Sequence, residues 1–459
     1  MACDRLVYSP SRENSGSLGF PVVTTTCSMS LSLSIKIITD NLSMPTSFQV
    51  PLDIPDVNIL SMKNGAKGEI LLEVESTLKT TQCRCCQREI SRFHGYDAPI
   101  RLQHLPILER VVYIELRPKR YTCPHCDGKP TTTQKLSWYA PRSPHTHALD
   151  EWLMKMLINS TVSDTSLRCQ VSYDSVDGAI NRLVGTSVDW SRVVPFATLG
   201  LDEIALRKGH KDFVCVVTGL DSHHRVMVLA ILPNRLKQTV FDFLDTMPEA
   251  FKSAVRWVCS DMYDGFLNAA REALPNTQLV IDRFHVAQHY HKGADSLRKQ
   301  VLKELKQTLD KPTYAQLKGV MWPFRRHYWD ISEEQQLLLA HLFQYSPTLE
   351  QAWLLRHELF TIYESPHSPV QAGKRFDEWV TKVQQSEVTC FDAFIRLLNN
   401  HRQDILSYFE DRQTSGFVEG MNNKLKVIKR RCYGLLDSVR LFQRIQIDLQ
   451  GRMGSFKFS

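Results

Sequence analysis

The sequence predicts a multidomain α/β protein in which a mixed β-sheet core is interrupted by a helical insertion. Three observations support this fold class. The chain has 459 residues, which is enough for about three domains. Residues 197–261 alternate short apolar strand patterns with a helical pattern, whereas residues 293–408 contain helical patterns. Two Cys-x-x-Cys pairs lie ahead of both segments, which indicates a separate N-terminal module.

The composition is that of a globular protein. Lys and Arg number 56 against 49 Asp and Glu, for a formal net charge of +7, which permits a polyanionic partner but does not establish one. No stretch approaches about 18 consecutive apolar residues and the start lacks the features of a signal peptide, so we expect a soluble, cytosolic protein with no membrane partner. Its 12 cysteines are too sparse for a disulfide scaffold.

Residues 1–50 differ from the rest of the chain. The segment 24–34 is rich in Ser and Thr and has no sustained period. We therefore predict a disordered leader over residues 1–50, and Met44 is a candidate alternative start.

The next segment, residues 51–140, carries the paired cysteines. Cys83 and Cys86 form one Cys-x-x-Cys pair, Cys123 and Cys126 form another, and strand-like residues join them. Each pair supplies two thiolates from a tight turn, so together they predict a zinc ribbon with four sulfur ligands to Zn²⁺. Cys85 leaves the first pair ambiguous, His125 is an alternative ligand, and reduced structural cysteines remain the competing interpretation.

Residues 141–192 have the pattern of a helix-turn-helix domain. Leu149, Leu153 and their apolar neighbours make a helical stripe, a short helix is predicted near residues 163–169, and Ser172 is a candidate N-cap of a further helix over residues 173–184. In a DNA-binding protein this last helix would enter the major groove. An ordinary three-helix packing unit is the alternative.

Residues 193–292 predict the first part of the core. The order strand, strand, strand, helix, strand builds a mixed sheet of the ribonuclease-H type, with three antiparallel strands and a parallel one reached through a helical crossover. Asp202 ends the apolar run of the first strand, and Asp261 ends the fourth, before a helix at 265–274. Where those strands are neighbours, both carboxylates face each other and can bind hard cations through oxygen ligands.

A fifth strand is predicted over residues 278–286, with Asp282 and His285 at its end. His285 and His289 have the i, i+4 spacing of a metalloprotease helix, but the residues between them include no glutamate base. The protease interpretation is therefore rejected.

Residues 410–459 predict the final helix of the core, with one glutamate on its polar face. At 100° per residue, Asn423, Lys426 and Arg430 lie within about 40° of Glu419, opposite an apolar stripe. The five basic residues behind Glu419 are Lys424, Lys426, Lys429, Arg430 and Arg431. A carboxylate that leads such a row suits a site where a metal ion meets a phosphodiester, with the cations binding the DNA backbone. A solvated basic helix with an incidental glutamate is the alternative.

These motifs together resemble the bacterial insertion-sequence transposases of the ISL-three family, over residues 83–434. The resemblance rests on the two cysteine pairs and on the segments GLDEIALRKGH, SDMYDGF, IDRFH and TSGFVEGMNNKLKVIKRRCYG. It implies a ribonuclease-H-like core, interrupted by an all-α insertion and preceded by a zinc ribbon and a helix-turn-helix domain. The serine-rich leader and Cys85 depart from the family pattern.

The resemblance also implies roles for individual residues. Asp202, Asp261 and Glu419 correspond to the catalytic DDE triad and would hold two Mg²⁺ ions, with Mn²⁺ as a substitute, about 3.5–4 Å apart. His285 would contact the scissile phosphate or orient a water molecule. The implied partners are the inverted-repeat ends and the target DNA, bound by a homodimer or larger oligomer, with the protein on the nucleoid when DNA-bound.

The many residues between Asp261 and Glu419 predict an all-α insertion over residues 293–409. It contains Trp322, Trp329, Trp353 and Trp379. One of these side chains could stack on an unpaired base at the cut DNA end, but packing in the helical core is the more common role of a tryptophan.

Three other functions remain open at this stage. A catalytically inactive DNA-binding regulator would bind DNA without cutting it, and a ribonuclease-H-like nuclease would hydrolyse DNA without joining it. A hydrolase of small phosphates would not need the basic run at 424–431. The three carboxylates favour an active enzyme, and the N-terminal DNA-binding modules favour transposition.

Overall fold

The computed structural model describes residues 32–36, 47–52, 54–207, 212–414 and 416–450. The chain divides into two compact units, Met1–Leu149 and Asp150–Ser459. None of the described helices combines the length and the apolar character needed to cross a membrane.

The predicted leader, residues 1–50, lies mostly outside the described residues. In the described part, strands β1 (Ser32–Lys36) and β2 (Ser47–Pro51) pair in antiparallel fashion. The structure thus has a short hairpin where disorder was expected. The alternation of polar and apolar residues in SLSIK is the two-residue period of a strand, which the Ser-rich composition obscured.

The first unit is built from strands. They are β3 (Val57–Asn64), β4 (Ile70–Ser76), β5 (Thr81–Gln82), β6 (Glu89–Ile90), β7 (Arg92–Tyr96), β8 (Ile100–Ile107), β9 (Arg110–Leu116), β10 (Lys119–Thr122) and β11 (Thr131–Thr133). One sheet has the order β3-β4-β9-β8, and two smaller sheets have the orders β5-β6 and β11-β10-β7. The first cysteine pair lies in the turn between β5 and β6, and the second lies in the turn between β10 and β11. Alternate residues of the larger sheet, such as Leu72 and Ile114, form its buried core.

The second unit contains the remaining elements. Up to the end of the sheet they are α1 (His147–Leu157), α2 (Val162–Cys169), α3 (Tyr173–Leu183), a 3₁₀ turn (Trp190–Arg192), β12 (Phe196–Ala205), β13 (Phe213–Asp221), β14 (Val226–Leu232), α4 (Lys237–Asp245), α5 (Glu249–Ala254), β15 (Trp257–Ser260), α6 (Asp264–Ala273) and β16 (Gln278–Ile281). The helices that follow are α7 (Arg283–Thr308), α8 (Lys311–Ala315), α9 (Met321–Arg325), a 3₁₀ turn (Tyr328–Asp330), α10 (Glu333–Tyr345), α11 (Pro347–Glu364), α12 (Pro369–Gln384), α13 (Asp392–Asn400), α14 (Arg402–Leu406), α15 (Tyr408–Asp411), α16 (Gly416–Arg431) and α17 (Ser438–Gln450).

Helices α2 and α3 form where the sequence predicts a helix-turn-helix. Ser172 caps α3 by accepting a hydrogen bond from the Ser175 amide, as expected. The apolar face of α3 is buried at Val176, Ala179 and Ile180. Arg440 of α17 forms an ion pair with Asp177, so α3 is joined to the last of the described helices.

The five-stranded sheet of the second unit has the order β14-β13-β12-β15-β16. Strands β12, β13 and β14 are antiparallel, while β15 and β16 run parallel to β12. These directions agree with the three antiparallel strands and the parallel fourth strand predicted from the sequence. Each face of the sheet has its own core: Leu201 and Val217 pack toward α4 and α6, and Ile204 and Val216 pack against α16 and α17.

The structure corrects one detail of the predicted elements. The fifth strand ends at Ile281 rather than continuing to residue 286, because Asp282 caps a new helix by accepting a hydrogen bond from the Phe284 amide. That helix, α7, has 26 residues and passes through the predicted boundary at 292/293. The core and the insertion therefore share one continuous helix.

The insertion packs around aromatic residues. Trp353 and Trp379 are buried in its core, and the Trp379 indole donates a hydrogen bond to the Leu355 carbonyl at 2.8 Å. Trp322 and Trp329 are instead exposed. Packing therefore accounts for two of the four tryptophans and leaves the other two on the surface.

Gly200 allows α16 to approach the sheet closely. A Cβ atom there would lie 2.5 Å from both Thr218 Oγ1 and Val418 Cγ2. We expect Gly200→Val to lower the free energy of unfolding by about 1–3 kcal/mol, because it overpacks this contact. Gly420→Ala on α16, where a Cβ atom meets nothing within 4 Å, should raise it by about 0.5–1 kcal/mol through helix propensity. Urea unfolding followed by tryptophan fluorescence measures both changes, and equal midpoints for the two variants would contradict this account.

Candidate functional site

The four predicted zinc ligands lie together in the first unit. Cys83, Cys86, Cys123 and Cys126 bring their sulfur atoms within 4.8 Å of one another. The sulfur of Cys83 lies 3.9 Å from that of Cys126, and the sulfur of Cys86 lies 3.7 Å from that of Cys123. Four thiolates at about 2.3 Å from one tetrahedral ion would be spaced about 3.8 Å apart. The donor set and its spacing therefore fit a zinc ion.

The turn geometry decides which cysteines belong to this cluster. The Cys85 amide points at the Cys83 sulfur from 3.4 Å, while the Cys85 side chain is exposed and lies outside the cluster. Hydrogen bonds from the Cys86 and Cys85 amides lower the pKa of Cys83 to about 6, while the neighbouring thiols raise the pKa of Cys126. Cys83 is therefore the member of the cluster that most favours the thiolate form that binds metal. His125 is exposed and is not among the clustered residues.

The two predicted aspartates meet at one edge of the five-stranded sheet. Leu201 of β12 pairs with Ser260 of the parallel strand β15. Asp202 and Asp261 each come directly after a residue of this pair and so lie at the same level of the sheet. Ser260 pairs in turn with Ile281 of β16, which places Asp282 at that level as well. The Asp261 carboxylate accepts a hydrogen bond from the Tyr263 amide at 3.0 Å, which orients it in the turn before α6.

Asp202 has an unusual electrostatic environment. Burial raises its pKa to about 6, and the negative charge of Asp261 acts in the same direction, while the Glu203 amide and His285 oppose the shift. A carboxyl group perturbed by burial and by a second carboxyl group is typical of functional sites and of sites that bind cations. The structure therefore brings Asp202, Asp261 and His285 into one site.

Asn422 of α16 contacts Asp202 directly, a role that the sequence did not reveal. Its amide nitrogen donates a hydrogen bond to Asp202 Oδ2 at 2.6 Å. Asn422 is buried, and its own Oδ1 accepts no hydrogen bond from the described residues. The helical stripe around Glu419 pointed to this face of α16, but nothing in the sequence distinguished Asn422 from Asn423.

Glu419 lies one helical turn before Asn422 on α16. Its side chain is exposed, as are those of Asn423, Lys426 and Arg430, while Leu425 is buried. The predicted division of this helix into a polar and an apolar face is confirmed. No hydrogen bond or ion pair between Glu419 and Asp202 or Asp261 is present among the described residues.

The basic residues of α16 differ in their surroundings. Lys429 donates hydrogen bonds to the carbonyls of Ala205 and Leu206 at 2.6 and 2.9 Å, and Arg431 forms an ion pair with Asp448 at 2.9 Å. These two side chains hold α16 in place. Lys426 and Arg430 are exposed on the Glu419 face, and Lys424 is partly exposed.

A further ion pair flanks the site. Arg235 binds Glu203 at 2.6 Å, and its guanidinium lies 4.7 Å from the centre of the Tyr263 ring. Glu203 follows Asp202, and Tyr263 lies two residues after Asp261. Arg235 thus connects the two aspartate-bearing segments; only its tertiary contacts identify it.

Comparisons with known proteins place these features in one family. The model for DDE transposases of the ISL3 family, described as a transposase, matches residues 199–445, more than half of the chain. A second model, described as the helix-turn-helix domain of transposase family ISL3, matches residues 134–184.

Two relatives show the same similarity along most of their length. The transposase for insertion sequence element IS1001 of Bordetella parapertussis is 26% identical over 382 residues, which cover 82% of this chain and 91% of that protein. The transposase for insertion sequence element IS1557 of Mycobacterium tuberculosis is 21% identical over 361 residues, which cover 74% of this chain and 79% of that protein.

The cysteine cluster leads to a testable prediction. Cys123→Ser removes a buried thiolate of the cluster, so we expect the purified variant to lose bound zinc and to unfold its first unit at a lower temperature. Cys85→Ser, the matched control in the same turn, should retain zinc. Elemental analysis by mass spectrometry measures both. Equal zinc contents in the two variants would mean that the cluster does not hold the metal.

Proposed function

The chain belongs to transposase family ISL3, and on this premise we propose that it binds the ends of an insertion sequence and catalyses metal-dependent cleavage and strand transfer of DNA. The observation that carries the proposal is the position of Asp202 and Asp261, each directly after a residue of the Leu201–Ser260 pair on adjacent parallel strands, beside a helix that presents Glu419. Chemistry of this kind needs carboxylates grouped near a phosphodiester. Asp202, Asp261 and Glu419 are the proposed DDE triad.

The sheet supports a ribonuclease-H-like core. Its order is β14-β13-β12-β15-β16, with three antiparallel strands followed by two parallel ones. The first and fourth strands in the chain, β12 and β15, therefore lie side by side. The matched transposase region, residues 199–445, contains both parts of this core and the insertion between them. The core is accordingly one functional unit despite the interruption.

The carboxylates fit a pair of Mg²⁺ ions, with Mn²⁺ as a substitute. Asp202 and Asp261 offer hard oxygen ligands, and the burial and mutual repulsion that raise the pKa of Asp202 are relieved when a cation binds between them. When bound, the two ions supply activation of the attacking oxygen and stabilisation of the departing 3′ oxygen. Asp202 would contribute to holding both ions, and Asp261 and Glu419 would each contribute to holding one.

The other residues of the site hold the reactants in position. Asn422 orients the Asp202 carboxylate through its amide hydrogen bond. His285, in the first turn of α7, contacts the scissile phosphate or orients the attacking water. Lys426 and Arg430, exposed on the Glu419 face of α16, bind the flanking backbone, with Lys424 beside them. Lys429 and Arg431 support this surface through their contacts with β12 and with Asp448.

The N-terminal modules supply DNA recognition in this proposal. The zinc ribbon, residues 51–140, and the helix-turn-helix, residues 141–192, bind the inverted repeat, with Zn²⁺ as a structural ion. Because both ends of an element must be joined to one target, the protein acts as a homodimer or larger oligomer on DNA, in the bacterial cytoplasm.

Substitution of the triad tests the proposal. Asp202→Asn, Asp261→Asn and Glu419→Gln should each reduce Mg²⁺-dependent cleavage and strand transfer to background, because each removes a charged ligand, while DNA binding persists. Asp242→Asn, the same change on the exposed face of α4, should retain activity. The assay uses labelled duplexes from the DNA that borders the gene on either side.

The products of that assay separate the competing functions. Cleavage without joining of the 3′ end to target DNA would indicate a nuclease. Binding without any cleavage by the wild-type protein would indicate a regulator. Wild-type levels of cleavage in all three triad variants would refute the assignment of the site.

Asn422 provides a second test. Asn422→Ala should lower the cleavage rate about 10–100-fold and raise the Mn²⁺ concentration for half-maximal activity, because partners that orient a metal ligand have effects of this size. DNA affinity should be unchanged. Asn399→Ala, at an exposed position of α13, is the matched control. An unchanged Mn²⁺ requirement would show that Asn422 has only a packing role.

A further inference from the structure

The helical insertion contains a cavity of about 520 Å³ between α7, α9 and α11. Its lining includes His291, Lys292 and Asp295 of α7, Arg325 of α9 and Arg356 of α11. Cavities of this volume are large enough to take part of a nucleotide. None of the roles proposed above uses these residues.

The charges around the cavity are not balanced. Asp295 is already bound by Arg325, Arg298 and Lys299; although burial opposes the shift, these hydrogen bonds hold the pKa of Asp295 well below its usual value. Lys292 forms no ion pair or hydrogen bond with the described residues. Asp295, the one carboxylate of the lining, is therefore already ion-paired, whereas Lys292 and Arg356 have no carboxylate partner among the described residues.

Arg356 is the most informative of these cations. It is only 2% exposed, yet no described carboxylate lies within ion-pair distance of it. Its recorded contacts are a hydrogen bond to the Arg326 carbonyl at 2.9 Å and the face of the Phe324 ring. A buried guanidinium costs free energy unless an anion or several acceptors compensate it. These contacts tie α11 to α9 but leave its charge without a counterion.

The cavity is aligned with the proposed active site along α7. Lys292 is seven residues after His285, which places both side chains within about 20° on the same face of the helix and about 10 Å apart along it. A B-form strand advances ~3.4 Å per nucleotide. If a strand with its scissile phosphate at His285 runs along this face of α7, a phosphate within a few nucleotides of that position reaches the cavity.

Aromatic side chains on α9 and just after it in the chain favour a nucleic acid over a small free anion as the bound group. Trp322 is 59% exposed on α9, the helix that contributes Arg325, and Trp329 is 65% exposed just beyond it. Exposed aromatic rings beside cations are typical of surfaces that bind unpaired or distorted nucleic-acid strands.

We propose that this cavity binds a backbone phosphate of the DNA strand, within a few nucleotides of the scissile phosphate, through Lys292 and Arg356. The proposal rests on the function proposed above and adds a DNA contact within the insertion. It gives the insertion a role in aligning the strand at the carboxylates.

The test combines protein and DNA changes. In the full-length protein, Lys292→Gln removes an exposed cation, and Lys303→Gln makes the same change on the same helix, at an exposed position that does not line the cavity. Binding to fluorescein-labelled duplexes from the DNA bordering the gene is measured over a range of KCl concentrations. Lys292→Gln should weaken binding about three- to tenfold and lower the slope of log K against log[KCl] by about one. Lys303→Gln should match the wild type.

Neutral methylphosphonates then locate the contact. They replace single phosphates, one position at a time, on both sides of the cleavage point. At one position the loss of affinity should be absent in Lys292→Gln but intact in Lys303→Gln, as expected when both changes remove one contact. Additive losses at every position, or equal salt slopes for the two variants, would overturn the proposal. Failure of the wild-type protein to bind would refute the proposed function instead.

Discussion

The pairing of β12 with β15 is the constraint on which the site depends. Because these strands are parallel and Leu201 pairs with Ser260, the next residue of each, Asp202 and Asp261, lies at the same edge of the sheet. The same register continues to Ile281 of β16, so Asp282 begins α7 from that edge. One alignment thus brings together two carboxylates and the start of the helix that carries His285.

Helix α16 completes the site because it is held against β12 along its length. Gly200 leaves room for Val418 near its start, Asn422 binds Asp202 in its middle, and Lys429 binds the carbonyls of Ala205 and Leu206 near its end. This close packing partly buries Asp202, and the loss of solvent raises its pKa to about 6. The carboxylate is therefore destabilised without a counter-charge, which makes it a strong ligand for a cation.

The sequence predicts the local patterns well and the tertiary partners poorly. Strand periodicity located Asp202 and Asp261, and a cap signal located Ser172, because these depend on neighbouring residues. Asp282 was assigned to a strand end, since the apolar run continues past it and periodicity cannot separate a strand end from a helix cap. The roles of Lys429 and Asn422 depend on β12, which lies more than 200 positions away in the chain. From the sequence alone, Asn422 cannot be distinguished from Asn423, nor Lys429 from Lys426, because only the contact with β12 gives them different roles.

The continuity of α7 argues against treating the insertion as an independent appendage. Asp282 caps this helix at the sheet edge, and Gly293, ten residues along it, allows the Cys390 carbonyl to approach so closely that a Cβ atom would lie 2.3 Å away. Asp295 then joins α7 to Arg325 of α9. These contacts fix α7 to the sheet edge at one end and to the insertion at several points along it. In the proposed function, a DNA strand bound by the insertion would therefore be held relative to Asp202 and Asp261 through this one helix.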